Sequence, residues 1–161
     1  MHVSAKTDYA VRAAAELAAA SSAQPLKAER IAEAQDIPIK FLETILLELK
    51  HAGIVRSQRG PDGGYALARP SADISIADVI RAVDGPLANV RGDRPENQSY
   101  RGAATSLTDV WIAVRASLRE ILESTTLQDL ASGALPVRVR ELAGDPEAWV
   151  SLGRIRGARA G

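Results

Sequence analysis

The residues with the clearest potential for recognition chemistry form a short central stretch, Arg59-Gly60-Pro61-Asp62-Gly63-Gly64. Its glycines and proline leave little side-chain bulk. Backbone amides and the Arg59 guanidinium can therefore approach phosphates or enter a minor groove. The alternative is an exposed β-turn that carries an incidental arginine. The flanking elements distinguish these two interpretations of the turn.

Strand-like segments flank this turn on both sides. Ile54–Gln58 leads in and Tyr65–Ala68 leads out, which predicts a two-stranded hairpin over about residues 54–68.

Two helical patterns precede the hairpin. Lys27–Gln35 is a short helix anchored by Ile31, and Asp36-Ile37-Pro38 is a turn, because proline suits the first position of a new helix. The second helix starts at Pro38 and stops before Gly53. Its predicted inward stripe is Phe41, Leu42, Ile45, Leu46 and Leu49, and its predicted outward residues are Ile39, Lys40, Glu43, Thr44, Glu48 and Lys50.

Taken alone, this second helix is an ordinary amphipathic helix with a solvated charged face. A helix pair that runs directly into a hairpin is instead typical of a winged helix-turn-helix, which lays one helix in a DNA major groove and the hairpin along the backbone. The whole chain has a net charge of zero. Across Pro38–Pro70, five bases oppose three acids, a local net charge of +2 and only a modest basic bias.

The remaining pattern is mainly helical. Helices are predicted at Ser4–Ala20, Ile76–Asp84, Ala104–Glu123 and Thr126–Ser132, with a short extended piece at Leu87–Val90 and a mobile polar loop at Arg91–Arg101. The longest helix carries a coiled-coil-like seam. Its members are Leu107, Val110, Trp111, Val114, Leu118 and Ile121. This seam either pairs with a second copy or packs back on its own domain. We favour pairing, because the winged module has a core of its own.

The predicted fold class is therefore mainly α with a small β-hairpin. It comprises a winged helix-turn-helix domain over residues 1–86, an arm of loop, long dimerisation helix and short closing helix over 87–133, and a flexible tail over 134–161 that includes Arg154, Arg156 and Arg159.

Several function classes are excluded. The chain has no cysteine, and its two histidines are His2 and His51, so thiol chemistry and thiolate-bound metals are ruled out. No catalytic or phosphate-cradling motif occurs, so we expect neither an enzyme nor a bound cofactor. The sequence also shows neither the long apolar run of a membrane span nor the regions of a signal peptide, so we expect a cytoplasmic protein.

Four segments together resemble the Rrf2 family of bacterial transcription regulators. They read SAKTDYAVRA, IPIKFLETILLELKHAGIVRSQRGPDGGYALARP, ISIADVIRAVDGP and TLQDLA, and the resemblance covers about Met1–Ser132. It implies a homodimeric winged-helix repressor or activator that is crossed through its long helix and reads a palindromic operator in double-stranded DNA.

The resemblance also implies roles for single residues. Lys40, Glu43 and Thr44 become candidates for reading bases, with Ile39 beside them, and a glutamate can accept a hydrogen bond from cytosine N4. Arg59 becomes the minor-groove arginine. Candidate contacts to the DNA backbone are Arg56, Ser57 and Gly60.

The departure from the family lies in the sensor. Many relatives hold an iron–sulfur cluster through three cysteines in the loop before the long helix, and Arg91–Arg101 offers none. Asp8 matches an acidic ligand position, but we expect it to be solvated or paired with Arg12. The prediction is a cluster-free DNA-binding repressor. The alternatives are control by a small ligand or partner protein at 91–101, or a winged-helix module that binds a protein instead of DNA.

Overall fold

A computed structural model of the chain describes residues 3–20 and 24–150. Within these ranges the fold is mainly helical with one antiparallel hairpin, as the sequence predicts. The helices are α1 (Ala5–Ala19), α2 (Ala28–Gln35), α3 (Ile39–His51), α4 (Ile76–Asp84), α5 (Leu107–Ser124), α6 (Leu127–Ser132) and α7 (Val137–Gly144), and the strands are β1 (Val55–Gln58) and β2 (Gly64–Leu67). No helix in the described part is long and apolar enough to cross a membrane.

Helix α1 is the centre of the core. Ala10, Ala13 and Ala14 are fully buried, and α1 packs against α2, α3, α4 and α6. Alanine side chains allow close approach of the neighbouring helices, which then fill the space with larger residues such as Ile31, Leu42 and Leu49, all fully buried. Ser4 caps this helix, because its hydroxyl accepts a hydrogen bond from the Thr7 amide at 3.0 Å.

The turn between α2 and α3 is fixed by backbone geometry. Asp36 takes a left-handed conformation with φ 50°, and the Ile37 amide donates to the Ala32 carbonyl at 2.9 Å. Ile37 itself is buried. The predicted turn at Asp36-Ile37-Pro38 is confirmed, with Pro38 at the N-cap of α3.

The hairpin is locked to the preceding loop as well as to itself. Strand β1 pairs with β2 from Val55 opposite Leu67 to Gln58 opposite Gly64. Leu26 adds a bridge to Tyr65, with hydrogen bonds of 2.8 and 2.7 Å in the two directions. At Gly64, a Cβ atom would lie 2.4 Å from the Leu26 carbonyl oxygen, so only glycine fits.

Helix α6 closes the core of the winged module, although the sequence grouped it with the arm. Leu127 is fully buried, and its amide donates to the Ile74 carbonyl at 2.9 Å. Ser75 and Thr126, which form a β-bridge, each start a capping box. In the second box, hydrogen bonds from the Thr126 amide and hydroxyl keep the pKa of Asp129 below its ordinary value.

Several boundaries differ from the sequence prediction. Helix α5 starts at Leu107 instead of Ala104, because Gly102–Ala104 forms a separate 3₁₀ turn. Leu87–Val90 is not extended: Ala88 has φ 53°, and Val90 turns back to bridge Asp93. Past Pro136, where the sequence predicted a flexible tail, α7 and a 3₁₀ turn at Pro146–Trp149 form. Arg154, Arg156 and Arg159 lie outside the described residues.

The polar loop predicted at Arg91–Arg101 packs on α5. Pro95 is buried within a 3₁₀ turn. The Thr108 hydroxyl donates to the Gln98 carbonyl at 3.0 Å, and the Trp111 indole N–H donates to the Tyr100 hydroxyl at 3.2 Å. This loop is therefore tied to the long helix along much of its length.

Replacing Gly64 tests the anchoring of the hairpin. We expect Gly64→Ala to lower the free energy of unfolding by about 2–4 kcal/mol, because backbone strain at its φ of 151° adds to the clash with Leu26. Gly60→Ala, where the added Cβ meets nothing within 4 Å, should cost only about 1–2 kcal/mol. Urea denaturation measures both values, and equal losses would contradict the anchoring.

Candidate nucleic-acid interface

Helix α3 presents one continuous exposed face. Lys40, Glu43 and Thr44, the predicted base-reading residues, are all exposed. The face continues through Leu47, which is 51% exposed, to His51. Residues at spacings of four, three and four lie on one side of a helix, so the positions of Leu47 and His51 could have been read from the sequence.

Three other residues of α3 lie differently from the prediction. Ile39, expected outside, is half-buried and packs against the core, because the turn at Ile37 and Pro38 holds the first residue of α3 inward. Phe41, expected inside, is 46% exposed, and its ring meets the Tyr9 ring of α1 edge-on. Glu48, expected outside, is half-buried beside α1.

The charged side chains of α3 and the wing divide into two groups. On the core side of α3, Glu48 forms an ion pair with Lys6 of α1 at 2.8 Å. On the exposed face and the wing, the side chains of Lys40, Glu43, Arg56 and Arg59 make no ion pair or hydrogen bond within residues 3–20 and 24–150. The outer charges therefore remain available to a partner.

Side chains of α1 hold the helix-turn-helix in place from its core side. The Arg12 guanidinium donates to the Gln35 carbonyl at 2.7 Å, at the end of α2. It also lies over the Tyr9 ring at 4.8 Å, and that ring meets Phe41 edge-on with centroids 5.7 Å apart. Arg12 pairs with Asp8 at 3.0 Å, which is one of the two alternatives that the sequence left open for Asp8.

The wing extends directly from α3. The Ile54 amide donates to the Leu49 carbonyl at 3.0 Å, and Ile54 and Val55 are buried, so the root of β1 is fixed to the end of α3. Arg56 and Ser57 on β1 and Arg59 and Gly60 at the tip are all exposed. Gly63 closes the tip through a 3.0 Å hydrogen bond to the Gly60 carbonyl. The predicted wing residues thus share one exposed hairpin.

Helix α5 has no buried residue, despite its apolar seam. Leu107, Trp111, Val114, Leu118 and Ile121 are half-buried, and Val110 is 50% exposed. One edge of the seam packs on the polar loop through Trp111, and Leu122 reaches the core. The other edge, at Val110, stays open in the single chain.

Comparisons with known proteins agree with this arrangement. The family model Rrf2, described as an iron-dependent transcriptional regulator, matches residues 3–133. The chain belongs to the Rrf2 family. It is 54% identical over 155 residues to an HTH-type transcriptional regulator of Mycobacterium tuberculosis, a match that covers 94% of each chain. It is also 34% identical over 132 residues to the regulator CymR of Bacillus subtilis, which covers 82% of this chain and 91% of CymR.

Solved Rrf2-family structures share the fold. The structure of CymR, the global cysteine regulator of B. subtilis, superposes with a TM-score of 0.71 at 32% identity and covers 83% of this chain and 98% of CymR. That of IscR from T. potens gives 0.68 at 33% identity and covers 95% and 94%. These matches show a winged-helix, DNA-binding transcriptional regulator, and not an enzyme.

The family description raises the question of iron, and the donor atoms of this chain do not fit a cluster. Iron–sulfur clusters are held mainly by cysteine thiolates, and the chain has no cysteine. Among the described residues, no three His, Asp or Glu side chains gather as a metal site. The loop that packs on α5 contributes guanidinium groups instead, with Glu96 paired to Arg115.

Charged residues of α1 that hold the helix-turn-helix should contribute more to stability than charged residues on the exposed face of α3. Arg12→Met should lower the free energy of unfolding by about 1–3 kcal/mol, because the hydrogen bond to the Gln35 carbonyl is lost. Lys40→Met, on the unpaired face, should change it by no more than about 0.5 kcal/mol. Thermal and urea unfolding of both variants measure this, and similar losses would contradict this difference.

Proposed function

We propose that this Rrf2-family protein is a homodimeric repressor that reads a palindromic operator without an iron–sulfur cluster. The main support is that α3 is held firmly from its core side while its outward charged side chains have no partner within the described chain. The charged side chains of the wing have no partner there either. A twofold dimer presents two such faces, and two identical faces fit two identical half-sites.

The proposed roles follow from chemistry and position. Lys40, Glu43 and Thr44 read base edges in the major groove, with Glu43 accepting from a cytosine amino group. The Thr44 hydroxyl donates to the Lys40 carbonyl at 3.3 Å, which leaves its oxygen free to accept from a base. Ile39 supports this face from its half-buried position.

The wing supplies the sequence-independent part of binding. Arg59 enters the minor groove, where a narrow groove attracts a guanidinium, and Arg56, Ser57 and the Gly60 amide contact the phosphate backbone. No side chain caps the first turn of α3, and the Ile39 and Lys40 amides have no hydrogen-bond acceptor among the described residues, so they can donate to an approaching phosphate.

Repression is the proposed sign of regulation, since a dimer seated on an operator excludes other proteins from that DNA. A reporter under an operator-bearing promoter should rise when the protein is removed, and a fall would reverse the sign.

Removing the wing arginine should weaken binding in a salt-dependent way. We expect Arg59→Ala to reduce the slope of log affinity against log salt by about 0.9, because one phosphate neutralisation is lost. Arg138→Ala removes an equal charge from α7, where Arg138 pairs with Glu120, and should leave the slope unchanged. Fluorescence anisotropy at several salt concentrations measures both slopes. An unchanged slope for Arg59→Ala would exclude the wing from the interface.

Interrupting the α5 seam should dissociate the dimer. Val110→Asp places a charge at the open edge, so we expect monomers in sedimentation velocity with an unchanged helical circular dichroism spectrum. Ile112→Asp is the matched control. Ile112 is 37% exposed and lies about 200° further around the helix, so the dimer should persist. Dimers in both variants, or a monomeric wild-type protein, would contradict dimerisation through α5.

The absence of thiolate ligands predicts that the purified protein contains no iron–sulfur cluster. Protein prepared anaerobically from iron-replete cells should be colourless and contain no stoichiometric iron, because the chain supplies no cysteine. Metal analysis and visible absorption spectroscopy measure this. A visible iron–sulfur spectrum that survives gel filtration would overturn the cluster-free assignment.

A further inference from the structure

A groove lined by arginines lies between the winged module and α5. It has a volume of about 330 Å³, and its lining includes Arg81 of α4, Arg94 and Glu96 of the polar loop, and Arg115 and Arg119 of α5. No element contributes more than two of these guanidinium groups. The charge is therefore assembled by the fold and is not visible as a basic run in the sequence.

The groove has more positive than negative charge. Arg81 and Arg119 both bind the same oxygen of Glu123, Oε1, and Arg115 binds Glu96. Arg94 forms no side-chain ion pair or hydrogen bond within the described residues. Hydrogen bonds from arginines hold the pKa of Glu123 below its ordinary value, and that of Glu96 is lowered by its own backbone amide and then by Arg115, so both stay ionised.

Four guanidinium groups thus face two carboxylates, with Asp78 at the margin, 3.8 Å from Arg81. Two arginines that share one carboxylate oxygen repel each other and still have unused N–H donors. A second anion in the groove would relieve that repulsion and accept the unused hydrogen bonds.

Residues 86–96 supply one wall of the groove, and two positions in this segment that do not themselves line the groove have an uncommon backbone conformation. The described residues contain three non-glycine positions with positive φ, and two of them, Ala88 at 53° and Arg91 at 54°, lie in this segment. Gly85 and Gly92 flank these two positions with φ of 81° and 80°. Backbone strain of this kind concentrates at ligand-binding and switch segments.

The groove is connected to the reading helix by direct contacts. Arg81 lies on α4, and the carbonyl of Val83 near the end of α4 accepts a hydrogen bond from Lys6 at 2.7 Å. The same Lys6 ammonium pairs with Glu48 of α3 at 2.8 Å. A ligand that shifts α4 against α5 therefore acts on elements that also set the position of α3.

We propose that this groove is an effector site for a small molecule with at least two negative charges, carried by phosphate or carboxylate groups. Its effect on the operator rests on the proposed function, whereas anion binding itself does not.

The binding test uses pyrophosphate and citrate as the two probes, with acetate as the singly charged control. Isothermal titration calorimetry of the full-length protein at constant ionic strength should show saturable binding of pyrophosphate or citrate, one per protomer, and none of acetate. The probe that binds more tightly distinguishes phosphate from carboxylate ligands. Failure of both probes to bind saturably would overturn the proposal.

Variants identify the site. Arg94→Ala should weaken binding about tenfold, because one charge-assisted hydrogen-bonding group is lost, while Arg94→Lys should retain part of the affinity. Neither change should alter the melting temperature, since Arg94 supports no ion pair. Arg101→Ala, an exposed arginine of the same segment outside the groove, is the control. Equal weakening by Arg101→Ala would mean nonspecific attraction and would overturn the site.

The effector role needs a second readout. At constant ionic strength, the bound probe should change operator affinity at least threefold in the wild-type protein and not in Arg94→Ala. Binding without such a change would overturn the effector role. Operator binding in the absence of any probe tests the proposed function separately, so the two failures are distinguishable.

Discussion

The structure depends on the close packing of α1, whose fully buried alanines let four other helices approach it. Because α1 contacts the helix-turn-helix, α4 and α6 at once, it fixes which side of α3 faces inward. Arg12 and Lys6 then add polar contacts from the same helix to Gln35 and Glu48. The exposed face of α3 is therefore a consequence of packing behind it.

This arrangement separates charges that hold helices together from charges that are left without a partner in the described chain. Charges that hold helices together are paired, as between Lys6 and Glu48, whereas Lys40, Glu43 and Arg59 are left without partners in the described chain. Exposed surface pairs contribute little to stability, so leaving these groups unpaired costs the fold little. A DNA duplex can then supply their partners without breaking contacts inside the protein. The same separation applies at the loop on α5, where Arg94 is unpaired beside paired neighbours.

The elements with a strong repeating pattern could be predicted from the sequence. The alanine stripe of α1, the turn at Pro38 and the glycine-rich hairpin each depend on local residue chemistry, and the fold class follows from their order. Features set by tertiary contacts could not be predicted. Phe41 is exposed beside the Tyr9 ring of α1, and Ile39 lies inward because of the turn at Ile37 and Pro38. Helix α7 has a weak apolar pattern, and the polar loop is ordered by contacts with residues far along the chain, such as Trp111 and Arg115.

If the outward face of α3, repeated in a dimer, reads base sequence, the purified protein should select an inverted repeat from random-sequence DNA, with half-sites centred about one helical turn apart. Sequencing of the selected pool measures this. Glu43→Ala should lose the preference at one base pair in each half-site, while Glu33→Ala, exposed on α2, should keep it. A pool with no enriched motif, or a motif that Glu43→Ala leaves unchanged, would contradict base reading by α3.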